Sequence, residues 1–132
     1  MFSRGDEISL PVGTNDLPTA YSELEEVSVA KRNDVYIDQA GAERYMLHQF
    51  KVFVGAAERC QVEWEGKSTL APNLSSVYLQ IYNHNSSSWQ TVDSNGVARA
   101  NIDFELEKKL RDTTNYKDAG GVLTARVYQL AI

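Results

Sequence analysis

A chain of 132 residues fits one domain and is long enough to bury a hydrophobic core without disulfide staples. Hydrophobic residues make up 42% and charged residues 23%, the balance of an ordinary globular protein, and seven Tyr, four Phe and two Trp suit strands and contact surfaces better than long helices. The net charge of -5, with Lys31-Arg32 and Lys108-Lys109 as the only adjacent basic pairs, argues against nucleic acid as a partner.

The single cysteine, Cys60, excludes an internal disulfide, and with two histidines, His48 and His84, it cannot supply a structural zinc site. No segment has the apolar length of a signal peptide or a membrane span. The expectation is synthesis in a cytoplasm, with lysis or a dedicated exporter as the way out. Asn73 and Asn85 match the glycosylation triplet, which without a secretory route reads as chance.

Residues 1–24 carry no sustained periodicity and are punctuated by Pro11, Gly13, Asn15, Asp16 and Pro18. They read as an irregular or extended N-terminal arm. It is either a frayed terminus or a segment that lies along a neighbouring subunit, anchored by Leu10 and Tyr21. Arg4-Gly5-Asp6 matches the integrin tripeptide, too short a motif to mean much without its context.

The β signals start at residue 25. Glu26 to Val29 alternates, Lys31 to Asp34 turns the chain, Val35 to Ile37 resumes it, and Gln39 to Gly41 breaks it again. Over Arg44 to Val54, Tyr45, Leu47, Gln49, Lys51 and Phe53 share one face. Met46, His48, Phe50, Val52 and Val54 share the other, more apolar face, which is expected to point inward. Cys60 to Gly66 alternates strictly, with Cys60, Val62 and Trp64 inward and Glu63 and Glu65 outward. Lys67 to Ser76 is a loop.

Val77 to Asn83 is the clearest strand: Val77, Leu79 and Ile81 form one face, and Tyr78, Gln80 and Tyr82 the other. A polar turn over Asn83 to Ser88 leads to Trp89–Val92, and Asp93-Ser94-Asn95-Gly96 has a turn signature. Residues 102–111 fit either a strand or, through the Glu105–Lys109 spacing, a helix; a strand ending in a loop or short helical turn fits better. Val122 to Ile132 closes the chain as a strand in which Leu123, Ala125 and Val127 alternate with Thr124, Arg126 and Tyr128. These runs predict an all-β fold, a jelly-roll-like antiparallel β-sandwich of about eight strands over 25–132, preceded by the arm.

Catalytic chemistry has little to stand on. Neither histidine lies in a recognisable signature; His48 reads as a satisfied core imidazole and His84 as solvated. Glu63 and Glu65 share a solvated strand face, where their acidity would stay ordinary. Asp93 to Gly96 is at most half a calcium loop, and a bridge to Asp103 or Asp118 lacks support. The expectation is therefore a protein that is not an enzyme, with no catalytic residue, cofactor or metal ligand to assign.

The informative constellation is aromatic. Tyr78, Gln80, Tyr82, Trp89, Arg126 and Tyr128 offer flat area with hydrogen-bonding tips, a mixture found in protein interfaces and in sugar-stacking platforms. Three readings stay open: a face covered by the protein's own loops, a subunit interface, or a ligand platform.

Trp64-Glu65-Gly66-Lys67-Ser68-Thr69-Leu70-Ala71-Pro72, Ser76 to Asn83, Trp89 with Asp93-Ser94, Asp103-Phe104, Tyr116-Lys117-Asp118 and Arg126 to Gln129 together resemble a family of small β-sandwich proteins of bacteriophage genomes and environmental viral sequences. The likeness covers roughly residues 60–130, and more loosely Asp6 to Leu17. The chain departs from it at the heavily charged Glu105 to Arg111. It implies a fold and a setting, not a catalytic mechanism.

The resulting expectation is a virion structural protein, in first place a capsid decoration (cement) protein. Its partners would be the major capsid protein or other virion subunits, with homo-oligomers of trimeric symmetry and neither nucleic acid nor membrane involved. The rival is a carbohydrate-binding or adhesin module that stacks a glycan on Tyr78, Tyr82 or Trp89.

Overall fold

The computed structural model describes residues 2–7, 10–14, 19–20, 45–68 and 70–130. The chain is all-β, with strands β1 (Phe2–Glu7), β2 (Thr19–Ala20), β3 (Tyr45–Phe53), β4 (Cys60–Gly66), β5 (Val77–Asn83), β6 (Ser88–Asn95), β7 (Phe104–Leu110) and β8 (Val122–Leu130). Among the described residues a single 3-10 turn at Thr114–Tyr116 interrupts them. The strands form two antiparallel sheets: a six-stranded one in the order β2-β1-β3-β8-β5-β6, and a two-stranded one, β4-β7.

Alternation explains how the sheets meet. Leu106, Phe104 and Leu110 of β7, with Val62 and Trp64 of β4, turn toward the large sheet. There they pack on Val77, Leu79 and Ile81 of β5 and on Leu123, Ala125 and Val127 of β8. The rings of Trp64 and Phe104 lie 5.3 Å apart in a tilted pair. Gly66, paired with Phe104, is glycine because a Cβ there would stand 2.7 Å from the Trp64 ring. At the far end of the large sheet, Gly121 has φ +80°, and a Cβ on it would meet the Gly55 backbone at 2.9 Å. That close approach lets the Gly121 carbonyl accept from both Val54 and Gly55 N–H where β3 and β8 part.

A bulge in β6 opposite Leu79/Gln80 leaves Val92 without a partner in the ladder. On one side of it Trp89 pairs with Tyr82 and Thr91 with Gln80; on the other, Asp93 pairs with Leu79. Val92 thereby joins the core, while an Asp93 carboxylate oxygen accepts from Glu107 N–H of β7 at 2.8 Å.

Six predicted runs are strands here, at 45–53, 60–66, 77–83, 88–95, 104–110 and 122–130. The stretch 102–111 resolves as strand: Phe104, Leu106 and Leu110 are buried, and Ile102 lies outside the strand, 56% exposed. The runs Glu26–Val29 and Val35–Ile37, and Tyr21 with them, lie outside the described residues.

Several expectations need correction. Residues 2–7, read as part of an irregular or extended arm, are extended and add a strand to the sheet, pairing with β3 along their whole length. Their Ser-Arg-Gly-Asp composition has no strand pattern, and backbone hydrogen bonding to an available edge places them. The Asp93–Asn95 stretch is strand, and the turn begins at Asn95, whose side-chain oxygen accepts from Val97 and Ala98 N–H. Phe50 and Val54, on the face of β3 expected to point inward, do pack on the core, but Val52 on that face is 48% exposed, and Leu47 and Gln49 on the supposed outer face are fully buried. Alternation assigns side chains to faces but says nothing about how deeply each face is covered.

Candidate functional site

The face of the large sheet turned away from the two-stranded sheet is built by register. Gln49, Arg126, Gln80 and Thr91 stand in one cross-strand row over β3, β8, β5 and β6, and Leu47, Tyr128, Tyr78 and Ser94 in the next. In the first row Arg126 Nε donates to Gln80 Oε1 at 2.7 Å, and Gln80 Nε2 donates to Thr91 Oγ1 at 3.0 Å. The Gln80 amide is used at both ends, which fixes its orientation. Such a chain of satisfied polar groups is stiff, because each bond polarises the next.

Aromatic rings frame the row. Tyr78 and Tyr128 stack with centroids 5.1 Å apart, and Tyr82 meets Trp89 edge-on at 5.3 Å. The Arg126 guanidinium lies 4.0 Å above the Trp89 ring and 5.8 Å from that of Tyr128, within cation–π reach of both.

A strap of the protein's own chain, residues 10–14, closes this face. Arg126 Nη1 donates to the Pro11 carbonyl at 2.7 Å, Trp89 Nε1 to that of Gly13 at 3.3 Å, and Gln49 Nε2 to that of Thr14 at 3.3 Å. Three side-chain donors from three strands thus read the backbone of one short segment. Of the strap's own side chains, Val12 is 85% exposed, while Leu10, Pro11 and Thr14 are half-buried. Under this cover Arg126 is only 3% exposed. Burial pulls its pKa down to about 10, partly offset by the Tyr128 phenol, so the guanidinium stays charged at neutral pH.

The site residues inferred from the sequence that fall among the described residues come together; Tyr21 lies outside them. Tyr78, Gln80, Tyr82, Trp89, Arg126 and Tyr128 share the face, and Leu10 sits half-buried at the start of the strap. Sequence reasoning missed Gln49 and the strap itself. Gln49 stands between Leu47 and Lys51 in an alternating strand, which hints at a buried polar position only once its neighbours in the sheet are known.

Other candidates fall elsewhere. Cys60 is half-buried against Ile81 and Leu110, and burial pushes its thiol pKa up, away from reactivity. His84, expected to be solvated, is half-buried with its ring edge-on to Tyr82 at 4.8 Å. Its Nε2 is enclosed and has no hydrogen-bond partner among the described residues. The Asp118 carboxylate accepts from Gly120 and Val122 N–H within its own turn.

On the outer face of β4 and β7 the register sets Glu63 opposite Glu107 and Glu65 opposite Glu105. Carboxylate oxygens of Glu63, Glu65 and Glu105 lie within 4.8 Å of one another, all exposed. An open groove of about 890 Å³ between β6 and β7 is lined by Val92, Asp93, Glu107, Arg111 and Tyr116 among others. Among the described residues no helix is long and apolar enough to cross a membrane.

No protein-family model, curated protein or solved structure matches the chain.

Proposed function

We propose that this chain is a non-enzymatic bacteriophage virion structural protein, a capsid decoration (cement) protein folded as a jelly-roll-like β-sandwich. It binds the major capsid protein or other virion subunits and stabilises the particle surface. It acts as a homo-oligomer, with a trimer the symmetry expected at a threefold position. The virion is its working location, reached by lysis of the host in whose cytoplasm it is made.

The observation that carries this reading is an apolar tip at one end of the sheets. Leu74 is 70% exposed, Val97 80% and Ile102 56%, on the β4–β5 and β6–β7 loops. Both loops are held firmly. Asn73 N–H donates to the Ala98 carbonyl and Asn101 N–H to that of Ser68. Buried Gln129 donates to the carbonyls of Leu70 and Ser75 at 2.9 Å each, and Ser75 Oγ donates to that of Leu130. Aliphatic side chains displayed on pre-ordered loops lose little entropy on docking, which suits a protein that binds another protein surface. The glycan reading loses support on the outer face, because the Arg126 guanidinium already covers one face of Trp89.

The test is co-sedimentation with capsids of the phage whose genome encodes the chain, stripped of their decoration. The wild-type protein should saturate at a copy number that is a symmetric multiple of the capsid sites. The double variant Leu74→Asp/Val97→Asp, both at exposed positions, should bind at least about tenfold more weakly, since two buried aliphatic contacts contribute several kcal/mol. Failure of the wild type to sediment with capsids at any concentration would end the proposal. A positive signal on a glycan array would then favour the adhesin reading.

A further inference from the structure

We propose that the outer face of the two-stranded β4-β7 sheet is a self-complementary docking surface whose partner is a second copy of this chain, related by a twofold axis. This gives a surface to the self-association in the reading above and rests on that reading for the need to associate; its test is separate. A twofold contact of this kind can join two trimers as readily as two monomers.

Register builds the face. Val62, Trp64, Leu106 and Leu110 turn toward the large sheet, so the residues between them point outward. There Gln61 stands opposite Lys109, Glu63 opposite Glu107, and Glu65 opposite Glu105. Arg59 and Arg111 flank the last pair of the ladder, Cys60 with Leu110. The two chains stay together past that pair, because Thr113 N–H donates to the Glu58 carbonyl at 3.0 Å. Both arginines, Lys109 and the four glutamates are exposed. Charge is thus sorted along the strands, with cations at one end and carboxylates at the other. Asp112, beside the arginines, is turned back onto Thr114, whose N–H and Oγ1 donate to it. Lys67 and Asp103, just past the glutamates, are one of each sign.

The partner follows from that sorting. Carboxylates directly opposite one another across two strands repel, and oxygens of Glu63, Glu65 and Glu105 lie within 4.8 Å of one another. Cations set against this half lower the repulsion, and the face carries its own at the matching distance. Consider a twofold axis perpendicular to the strands, midway between the Gln61–Lys109 and Glu63–Glu107 rows. It sets Glu65 and Glu105 of one copy against Arg59 and Arg111 of the second copy, and symmetry repeats the contact at the other end. It also brings Lys109 over Glu107. A purely basic partner would suit the glutamates but would meet the arginines with like charge, so a second copy fits the whole face better. The face is about 20 Å long and two strands wide, short of the roughly 800 Å² per partner of a standard stable interface. The contact is therefore weak and electrostatic, and it gains from neighbouring copies being held close.

The experiment is sedimentation equilibrium on the full chain over a range of concentrations, at about 0.01 M and about 1 M salt, where the Debye length falls from about 30 Å to about 3 Å. At low salt the mass should rise with concentration toward twice that of the smallest species. At high salt the dissociation constant should weaken at least about tenfold. Two double variants at exposed positions then exchange the charges: Glu65→Lys/Glu105→Lys and Arg59→Glu/Arg111→Glu. Each alone should lose the association, because the twofold axis brings like charges together at both ends. An equimolar mixture should regain it, since each variant then meets opposite charge at both ends. Both variants remain net negative, as the wild type is at -5, so overall attraction between them cannot produce that rescue. A wild type without salt-sensitive association would overturn the proposal. So would a double variant that associates by itself as the wild type does, or a mixture that stays apart. Capsid binding is read separately: a salt-sensitive pair without co-sedimentation keeps this inference and removes the decoration role, and co-sedimentation by a chain that never pairs does the reverse.

Discussion

Along β5 and β8, successive residues face two different kinds of cover. Val77, Leu79, Ile81, Leu123, Ala125 and Val127 look onto the β4-β7 sheet, and their contacts are aliphatic and aromatic carbon. Gln80, Thr124 and Arg126, between them, are buried to nearly the same depth. On that face the described cover is the five-residue strap, held by three hydrogen bonds from Arg126, Trp89 and Gln49. Apolar burial is non-directional and spreads over many contacts, so the first face yields gradually as atoms are removed. A polar row is directional, and losing one member strands the groups it satisfied. The first cover rests on many apolar contacts, the second on three directional hydrogen bonds.

The largest expected effect comes from breaking the permanent face. Leu79 is 1% exposed at the centre of the core, and Leu79→Ala should cost about 2–5 kcal/mol in urea unfolding, through lost transfer energy plus a cavity. Proteolytic cleavage should accelerate throughout the chain in proportion. A loss under about 1 kcal/mol would mean that the two sheets are not held together by this face.

Next in size is Arg126→Ala. It removes a charge-assisted bond to the Pro11 carbonyl and leaves Gln80 Oε1 without its donor, which together should cost about 1.5–3 kcal/mol. The location of the damage separates it from Leu79→Ala. Limited proteolysis should speed up first at residues 10–14, with cleavage inside β5 and β8 following only the global loss. Uniform acceleration would show that the strap is not an independently released cover.

How far this contrast could be read from sequence depends on the residue. The core face was visible at once, since Val77-Leu79-Ile81 and Leu123-Ala125-Val127 alternate without interruption, and so was the aromatic and polar opposite face. What alternation could not supply was the partner of that face. Residues 10–14 have no periodicity to match, and they are recognised through carbonyls that every residue possesses, so no side-chain pattern marks them. The pairing of β1 with β3 was hidden for the same reason. The glutamate cluster depended on inter-strand register: Glu63 and Glu65 were readable as outward, but their position opposite Glu107 and Glu105 was not.

The smallest expected effect sharpens the comparison because it should not distinguish the two faces. Asp118 holds the turn into β8, the strand both faces share, by accepting from Gly120 and Val122 N–H. The Val122 backbone bond, chiefly, pulls its pKa below the usual value of 3.8, with the Gly120 bond and the nearby His84 and Lys51 charges adding to it against a partial desolvation effect. An aspartate more acidic in the folded state binds its proton more tightly when unfolded. Its contribution is therefore present above the unfolded-state pKa and is lost as pH falls through the folded one. Asp118→Ala should be less stable than the wild type at neutral pH by an amount that stays constant down to about pH 5 and shrinks below about pH 4 as the wild type protonates. Urea unfolding across that range measures the gap. Because the turn feeds β8 as a whole, proteolysis at the strap and in the core strands should rise by the same factor in this variant. A gap that persists undiminished to pH 2 would mean that the carboxylate's charge plays no part in holding the turn.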